Sequence, residues 1–445
     1  MAESEFVVQN VQRPDGNAYD VLVGGVQIQA VYPHDTSRHW ELPIYPGNGN
    51  LLWPSCLDGH VHLREPGFEH KETIASGLRA AAAGGFGRVM AMANTNPVND
   101  TPGTTRLLLD TARTQHPHGP SLLPVGAATK GLQGTELAPM AELAQAGCVA
   151  FSNDGNPVAD TEIFRRAVEY AADHRCLVID HCEDPHLAPG AGINEGRTSS
   201  RLGLKGQPTV AESLHVARDI LLADYLQLPI HLAHISCRES VELIARAKEH
   251  GIPITAETCP HYLWWDESLL EGFNTWAKVN PPLRTQDDVQ ALRQAARQGV
   301  IDCLVTDHAP HAWDEKDAPF MAAPNGISGL ETALSLTWEL VRDDILSTAD
   351  LLRLWSRAPA ALFGLPAPSG LEPGDRADFL LFAPQTTWTV QAQELFSQGA
   401  NTPCLGQTLT GRVRAHFLGG VCVHSLEPHP LQGGDCPHGH GSYCR

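Results

Sequence analysis

The sequence predicts an α/β protein: a (β/α)8 (TIM) barrel with a small β-sandwich domain built from the N- and C-terminal segments. Three observations predict it. From residue 51 onward, short apolar runs alternate with longer stretches of helical periodicity, the texture of βα units around a parallel sheet. Eight such alternations fit in roughly 300 residues, which is the span of a (β/α)8 barrel. On either side, residues 1–50 and 367–426 show short alternating segments punctuated by Gly and Pro, the pattern of half-buried β structure. A chain of 445 residues has room for a large barrel and an accessory domain.

The elements follow in order. Tyr19–Val26 typifies the short strands of the first 50 residues. The candidate barrel strands are Leu51–Leu57, Arg88–Met92, Leu122–Ala127, Cys148–Phe151, Cys176–Ile179, Pro229–Ala233, Pro253–Ala256 and Ile301–Thr306. Helices are predicted over Thr73–Ala83, Thr161–Asp173, Thr209–Tyr225, Cys237–His250 and Thr285–Gln298. The first is Ala-rich and stops at Gly84-Gly85, where glycine supplies a left-handed cap. Residues 328–363 add further helices, and Gly370–Phe382 returns to turns and short strands. Residues 51–366 thus read as the barrel, with 1–50 and 367–426 as two halves of one β domain. The tail 427–445 is rich in Pro, Gly and His. Its Cys436, His438, His440 and Cys444 are metal-ligating residue types, but the composition is that of a disordered terminus.

Composition narrows the function. The net charge of −20, from 31 basic and 51 acidic residues, speaks against nucleic acid or an anionic membrane as partner. An anionic ligand then needs a local cationic device. The 11 cysteines are odd in number and sit mostly inside apolar runs, as at Cys148, Cys176 and Cys303. That is the usage of reduced thiols in a cytoplasmic protein. Met1–Glu5 shows no signal-peptide pattern, and no apolar stretch is long enough to span a bilayer.

Barrels of this kind carry their chemistry at the C-terminal ends of the strands. The first strand leads to His60 and His62; residues two apart on a strand share a face, so both imidazoles can grip one side of a metal. Arg64 is next in the alternation and can hold a carboxylate in a bidentate fork. Strand two leads to Asn94, strand four to Asp154, strand five to His181, strand six to His234 and strand eight to Asp307. Singly, each has an ordinary reading: a satisfied core histidine, a turn aspartate at Asp154-Gly155, a helix cap at Asp307. Together they converge on one mouth. Four histidines and two aspartates exceed what one ion needs and suit two divalent ions roughly 3.5–4 Å apart. Imidazole and carboxylate donors favour Zn2+, with Mn, Co or Fe as alternatives. Such a centre generates hydroxide, polarises a carbonyl, and points to hydrolysis of an amide-like bond, with Asp307 as the group that moves the proton.

These residues resemble the amidohydrolase superfamily and, within it, the bacterial type I dihydroorotases. The resemblance continues through Lys71-Glu72-Thr73-Ile74, Gly84-Gly85-Phe86, Asn94-Thr95, Gly206-Gln207-Pro208, Ala211-Glu212-Ser213, Lys278–Arg284, Asp307–His311 and Gly326–Thr332, over about residues 20–425. It implies that His60, His62 and Asp307 hold one metal, His181 and His234 the other, and that Asp154 bridges them. It implies that Arg64 and Asn94, reinforced by His311, hold the carboxylate of L-dihydroorotate, and that Asn280 and the backbone at Asn325-Gly326 contact its ring. A metal-bridged hydroxide would open the cyclic amide to N-carbamoyl-L-aspartate, in the reversible step of de novo pyrimidine (UMP) synthesis, with Asp307 as proton shuttle. The resemblance further implies a homodimer or a complex with aspartate carbamoyltransferase. One departure matters. Related cyclic amidases bridge their metals with a carboxylated lysine after strand four; here that place reads Ser152-Asn153-Asp154-Gly155, and the nearest lysines, Lys130 and Lys205, belong to other segments. The stretch Thr258–Tyr262 has a hydantoinase or allantoinase flavour, so a sister cyclic amidase is the second reading. A non-catalytic scaffold for aspartate carbamoyltransferase is the third, and retention of every expected ligand speaks against it.

Overall fold

The computed structural model describes residues 5–187 and 189–427. The C-terminal tail read above as a disordered terminus lies, from residue 428, outside the described residues. Five strands come first: β1 (Glu5–Gln12), β2 (Ala18–Gly24), β3 (Gln27–Pro33), β4 (Ile44–Pro46) and β5 (Leu51–Pro54). Next are β6 (Cys56–Val61), β7 (Phe86–Ala91), β8 (Ser121–Ala127), β9 (Ala150–Ser152) and β10 (Leu177–Asp180). A small ladder of β11 (Ile193–Asn194) and β12 (Gly206–Gln207) intervenes before β13 (Ile230–Leu232), β14 (Ile254–Thr258) and β15 (Cys303–Leu304). Then come β16 (Phe379–Thr389), β17 (Thr408–Leu418) and β18 (Val421–Ser425).

The strands β6–β10 and β13–β15 pair in parallel, in sequence order. The ring closes between β15 and β6 beyond their ends. Val61 bridges His308, His62 N–H donates to His308 O at 2.8 Å, and Asp58 accepts from the amide and hydroxyl of Thr306. This is the (β/α)8 barrel that the alternation of runs predicts.

The helices fall where the periodicity places them, because their caps are local. Ile74–Gly84 starts at Thr73, whose hydroxyl accepts from Ser76 N–H, and ends on Gly85 at φ 88°. Thr161–Asp173 is capped by Asp160, and Thr209–Leu226, Arg238–Glu249 and Gln286–Gln298 lie within a residue of expectation. Pro102–Gln115 and Met140–Ala146 fill gaps for which the sequence reading assigned no helix.

One predicted strand is corrected. Leu51–Leu57 is two strands in two sheets. Leu51–Pro54 runs antiparallel to β16, with Leu52 opposite Leu381, whereas Cys56–Val61 runs parallel to β7. The hand-over is at residue 55: Ser55 N–H donates to Asp378 O and Cys56 N–H to Gly85 O. Residues 52–57 are buried on both sides of the hand-over, so the run reads as one strand apart from Pro54-Ser55.

The second large sheet interleaves the two chain ends in the order β18-β17-β16-β5-β1-β2-β3, with β4 against β1. Its far edge turns back onto the C-terminal segment, where Ile28 N–H donates to Asp375 O. Phe6, Phe379 and Phe417 stack in its own core, at 5.6 and 4.8 Å between ring centroids. The nine described cysteines are all free thiols. Among the described residues no helix is long and apolar enough to cross a membrane.

Candidate metal centre and substrate site

The C-terminal ends of β6, β9, β10 and β13 and the turn after β15 bring His60, His62, Asp154, His181, His234 and Asp307 together. All are buried. Asp154 is the hub. Its Oδ1 lies 3.4 Å from His60 Nε2, 3.3 Å from His181 Nδ1 and 3.3 Å from His234 Nε2. Its Oδ2 lies 3.4 Å from His62 Nε2. Asp307 Oδ1 is 3.1 Å from His62 Nε2 and 3.8 Å from His60 Nε2. Two of these residues, His234 at φ 32° and Asp307 at φ 47°, hold left-handed backbone. That conformation is costly for a residue with a Cβ and collects at functional sites.

Three of the four donor nitrogens turn inward because other groups hold the rings. Glu257 accepts from His60 Nδ1 at 2.8 Å, leaving Nε2 toward Asp154. Asn94 Oδ1 accepts from His62 Nδ1 at 2.9 Å. Glu183 accepts from His181 Nε2 at 3.0 Å, so that ring offers Nδ1 instead. His231 backs Glu257 at 2.9 Å. Such outer partners fix tautomer and aim at a metal centre.

Electrostatics and geometry fit a cation here. Burial pushes the Asp154 carboxyl up, but His60 and the other imidazoles outweigh it and hold it well below the usual range. Burial lowers His181, and Asp154 with Glu183 overrides it, raising the ring to about 10. Positive charge is thus favoured among these groups, and a divalent ion competes with their protons. His60 Nε2 is buried without a hydrogen-bond partner, as expected of a ligand atom. A tetrahedral ion with bonds of ~2.0 Å sets its donors about 3.3 Å apart. The His181–Asp154–His234 triangle has edges of 3.3, 3.3 and 2.9 Å. His60, His62 and Asp307 form a second group whose ligand atoms lie within 4.8 Å of one another.

The substrate candidates lie at the rim. Arg64, at φ 65°, donates from Nε to Pro310 O at 3.1 Å and sets Nη2 3.2 Å from His311 Nε2. His311 Nε2 is 2.9 Å from Asn325 O, to which a neutral ring donates. Burial, then Arg64 and Lys71, press its pKa down to about 3, so this ring is uncharged. Asn280 reaches over His181, with Nδ2 donating to Glu183 at 2.8 Å and 3.2 Å from His181 Nε2. The Gly326 amide is already spent on Lys278 O and the Asn325 carbonyl on His311, while the Asn325 residue itself is exposed. Lys130 lies at the surface, paired with Glu136, away from the centre. Sequence reasoning missed Glu257 and Glu183. Glu257 had a signal: it stands at the end of strand seven, the place that supplied candidates elsewhere.

Comparison with known proteins agrees with this geometry. A family profile described as Dihydro-orotase-like matches residues 49–240. The chain is 42% identical over 421 residues to the dihydroorotase of Syntrophus aciditrophicus, covering 94% of this chain and 97% of that one. It is 46% identical over 378 residues to the dihydroorotase of Syntrophotalea carbinolica, covering 85% and 88%. Among solved structures, L-hydantoinase (dihydropyrimidinase) from Arthrobacter aurescens superposes with a TM-score of 0.83 at 23% identity, over 95% of this chain and 96% of that chain. The hydantoinase likeness concerns the fold. The near-full-length identities go further, and with them this chain belongs to the dihydroorotase family.

Proposed function

We propose that this protein hydrolyses the cyclic amide of L-dihydroorotate to N-carbamoyl-L-aspartate, reversibly, as the dihydroorotase step of pyrimidine biosynthesis. The observation that carries the reading is the pairing of the six-ligand cluster with Arg64 at its rim. His60, His62 and Asp307 would hold one divalent ion and His181 and His234 a second, with Asp154 shared and Zn2+ favoured by the donors. When bound, such ions acidify water and polarise the amide carbonyl.

The chain's own groups do the rest. Arg64 and the Nδ2 end of Asn94 take the substrate carboxylate, and His311, whose single N–H goes to Asn325 O, reinforces the site by packing beside Arg64. Asn280 borders the ring on the His181 side. Asp307 moves the proton from water to the ring nitrogen as the amide opens, and returns it in the reverse direction. Its carboxyl stands in the ionised form that a proton acceptor needs. Burial pushes it up, while the His62 bond and the nearby imidazoles outweigh burial and keep it ionised. A hydantoin or allantoin ring carries no carboxylate, so Arg64 favours dihydroorotate over those substrates. The reading places the protein in the cytoplasm, as a homodimer or with aspartate carbamoyltransferase.

The test is dihydroorotate hydrolysis by the purified chain, with metal content measured in parallel. Turnover that is lost on chelation and restored by Zn2+ supports the reading. Preferential turnover of hydantoin or allantoin would overturn the substrate, and a metal-free protein that no metal activates would overturn the enzyme. Activity only after adding aspartate carbamoyltransferase would assign that partner.

A further inference from the structure

Between β16 and β17 the chain leaves the second sheet and reaches the mouth of the barrel. There Asn401, 1% exposed, holds two loops at once. Its Oδ1 accepts from His311 N–H at 2.8 Å and faces the Ser328 hydroxyl at 2.8 Å. Its Nδ2 donates to Gly326 O at 3.0 Å and Ala309 O at 3.2 Å. Its own carbonyl accepts from Ser328 N–H at 3.0 Å. Gly399 presses on the same loop: a Cβ there would stand 2.5 Å from Pro310 Cβ and 2.8 Å from His311 N. The approach is fixed behind, where Glu331 accepts from the amides of Phe396 and Ser397 and Glu72 from that of Gln398.

The gripped loop carries the rim chemistry. Pro310 O receives Arg64 Nε, and His311 faces Arg64 Nη2. We infer that Asn401 is a positioning residue for anion recognition: it sets residues 309–311 so that Pro310 O and the His311 ring hold Arg64 toward the substrate carboxylate. This rests on the function proposed above. The place demands an amide, because two acceptors and two donors must be met from one planar group. Aspartate lacks both donors, and an apolar residue would strand buried carbonyls and amides. Asn401 contacts none of the six metal-ligand candidates, so its effect falls on binding through the loop.

The experiment measures KM and kcat for dihydroorotate with Asn401→Ala, His311→Ala and the double variant, each with metal content and melting temperature. Asn401→Ala should raise KM about tenfold, lower kcat by less than about threefold, and leave metal content at the wild-type level. The KM penalties should not multiply in the double variant, since both act through one loop. If Asn401→Ala does not fold, Ser328→Ala tests the same clamp and should raise KM in the same direction, by about threefold. Unchanged KM, multiplicative penalties, or a parallel loss of kcat and metal would overturn the positioning role. Absence of dihydroorotate turnover in the unaltered protein would overturn instead the function on which it rests.

Discussion

Asp307 and His62 meet at 3.1 Å in a site where both are buried, and an amide at position 307 keeps that shape without a proton acceptor. Asp307→Asn should therefore fold and lose about 10²–10⁴ in turnover; near-wild-type turnover in a metal-loaded variant would remove the shuttle role. Arg64→Lys replaces a fork by a point charge, so KM for dihydroorotate should rise about tenfold with a smaller change in kcat; equal KM would discard the clamp. Glu257→Gln leaves an oxygen for His60 but removes the charge behind it, and Zn2+ affinity should drop about 10–100-fold, read by competition with a chelator. The six candidate ligands were legible because each follows an apolar run in sequence. Glu257 was not singled out, because its importance arises from a contact 197 residues away, across the barrel from β14 to β6.

At the scale of elements, five barrel helices were legible, Pro102–Gln115 was passed over despite its Thr101 cap, and the strand boundary was not legible. Thr73, Asp160 and Thr285 cap their helices through residues two or three positions on, so the signal is local. The division of Leu51–Leu57 is set by partners near residues 85 and 380, which no local pattern contains. The closure of the ring is likewise non-local. Thr306 donates its hydroxyl to Asp58 at 2.5 Å and accepts from His308 N–H at 3.0 Å. Thr306→Val keeps the shape, strands a buried carboxyl oxygen and an amide, and should cost about 1–3 kcal/mol of stability. Denaturant unfolding checks this, and an unchanged midpoint would mean that the ring closes without that bond.

At the scale of the whole molecule the two large sheets meet, and one buried histidine lies in that contact. His416 of β17 is fully buried. Its Nδ1–H donates to Ala82 O at 2.9 Å, and its Nε2 accepts from the Ser55 hydroxyl at 2.8 Å. It thereby ties the second sheet to the end of the first barrel helix and to the residue where the chain passes from one sheet to the other. Burial holds the ring neutral and lowers its pKa from 6.5 to about 4. The unfolded chain therefore binds a proton that the folded protein does not, throughout the window between those values. The stabilisation is complete above pH 6.5 and is lost progressively as pH falls toward 4; about 3 kcal/mol is the order of the change. His416→Gln can preserve a donor and an acceptor but has no proton to gain. Its stability at about pH 7 should be at or below that of the unaltered protein, and its decline between about pH 7 and pH 5 should be shallower. Urea unfolding of both proteins across that range measures the two slopes, and equal slopes would place the acid sensitivity elsewhere.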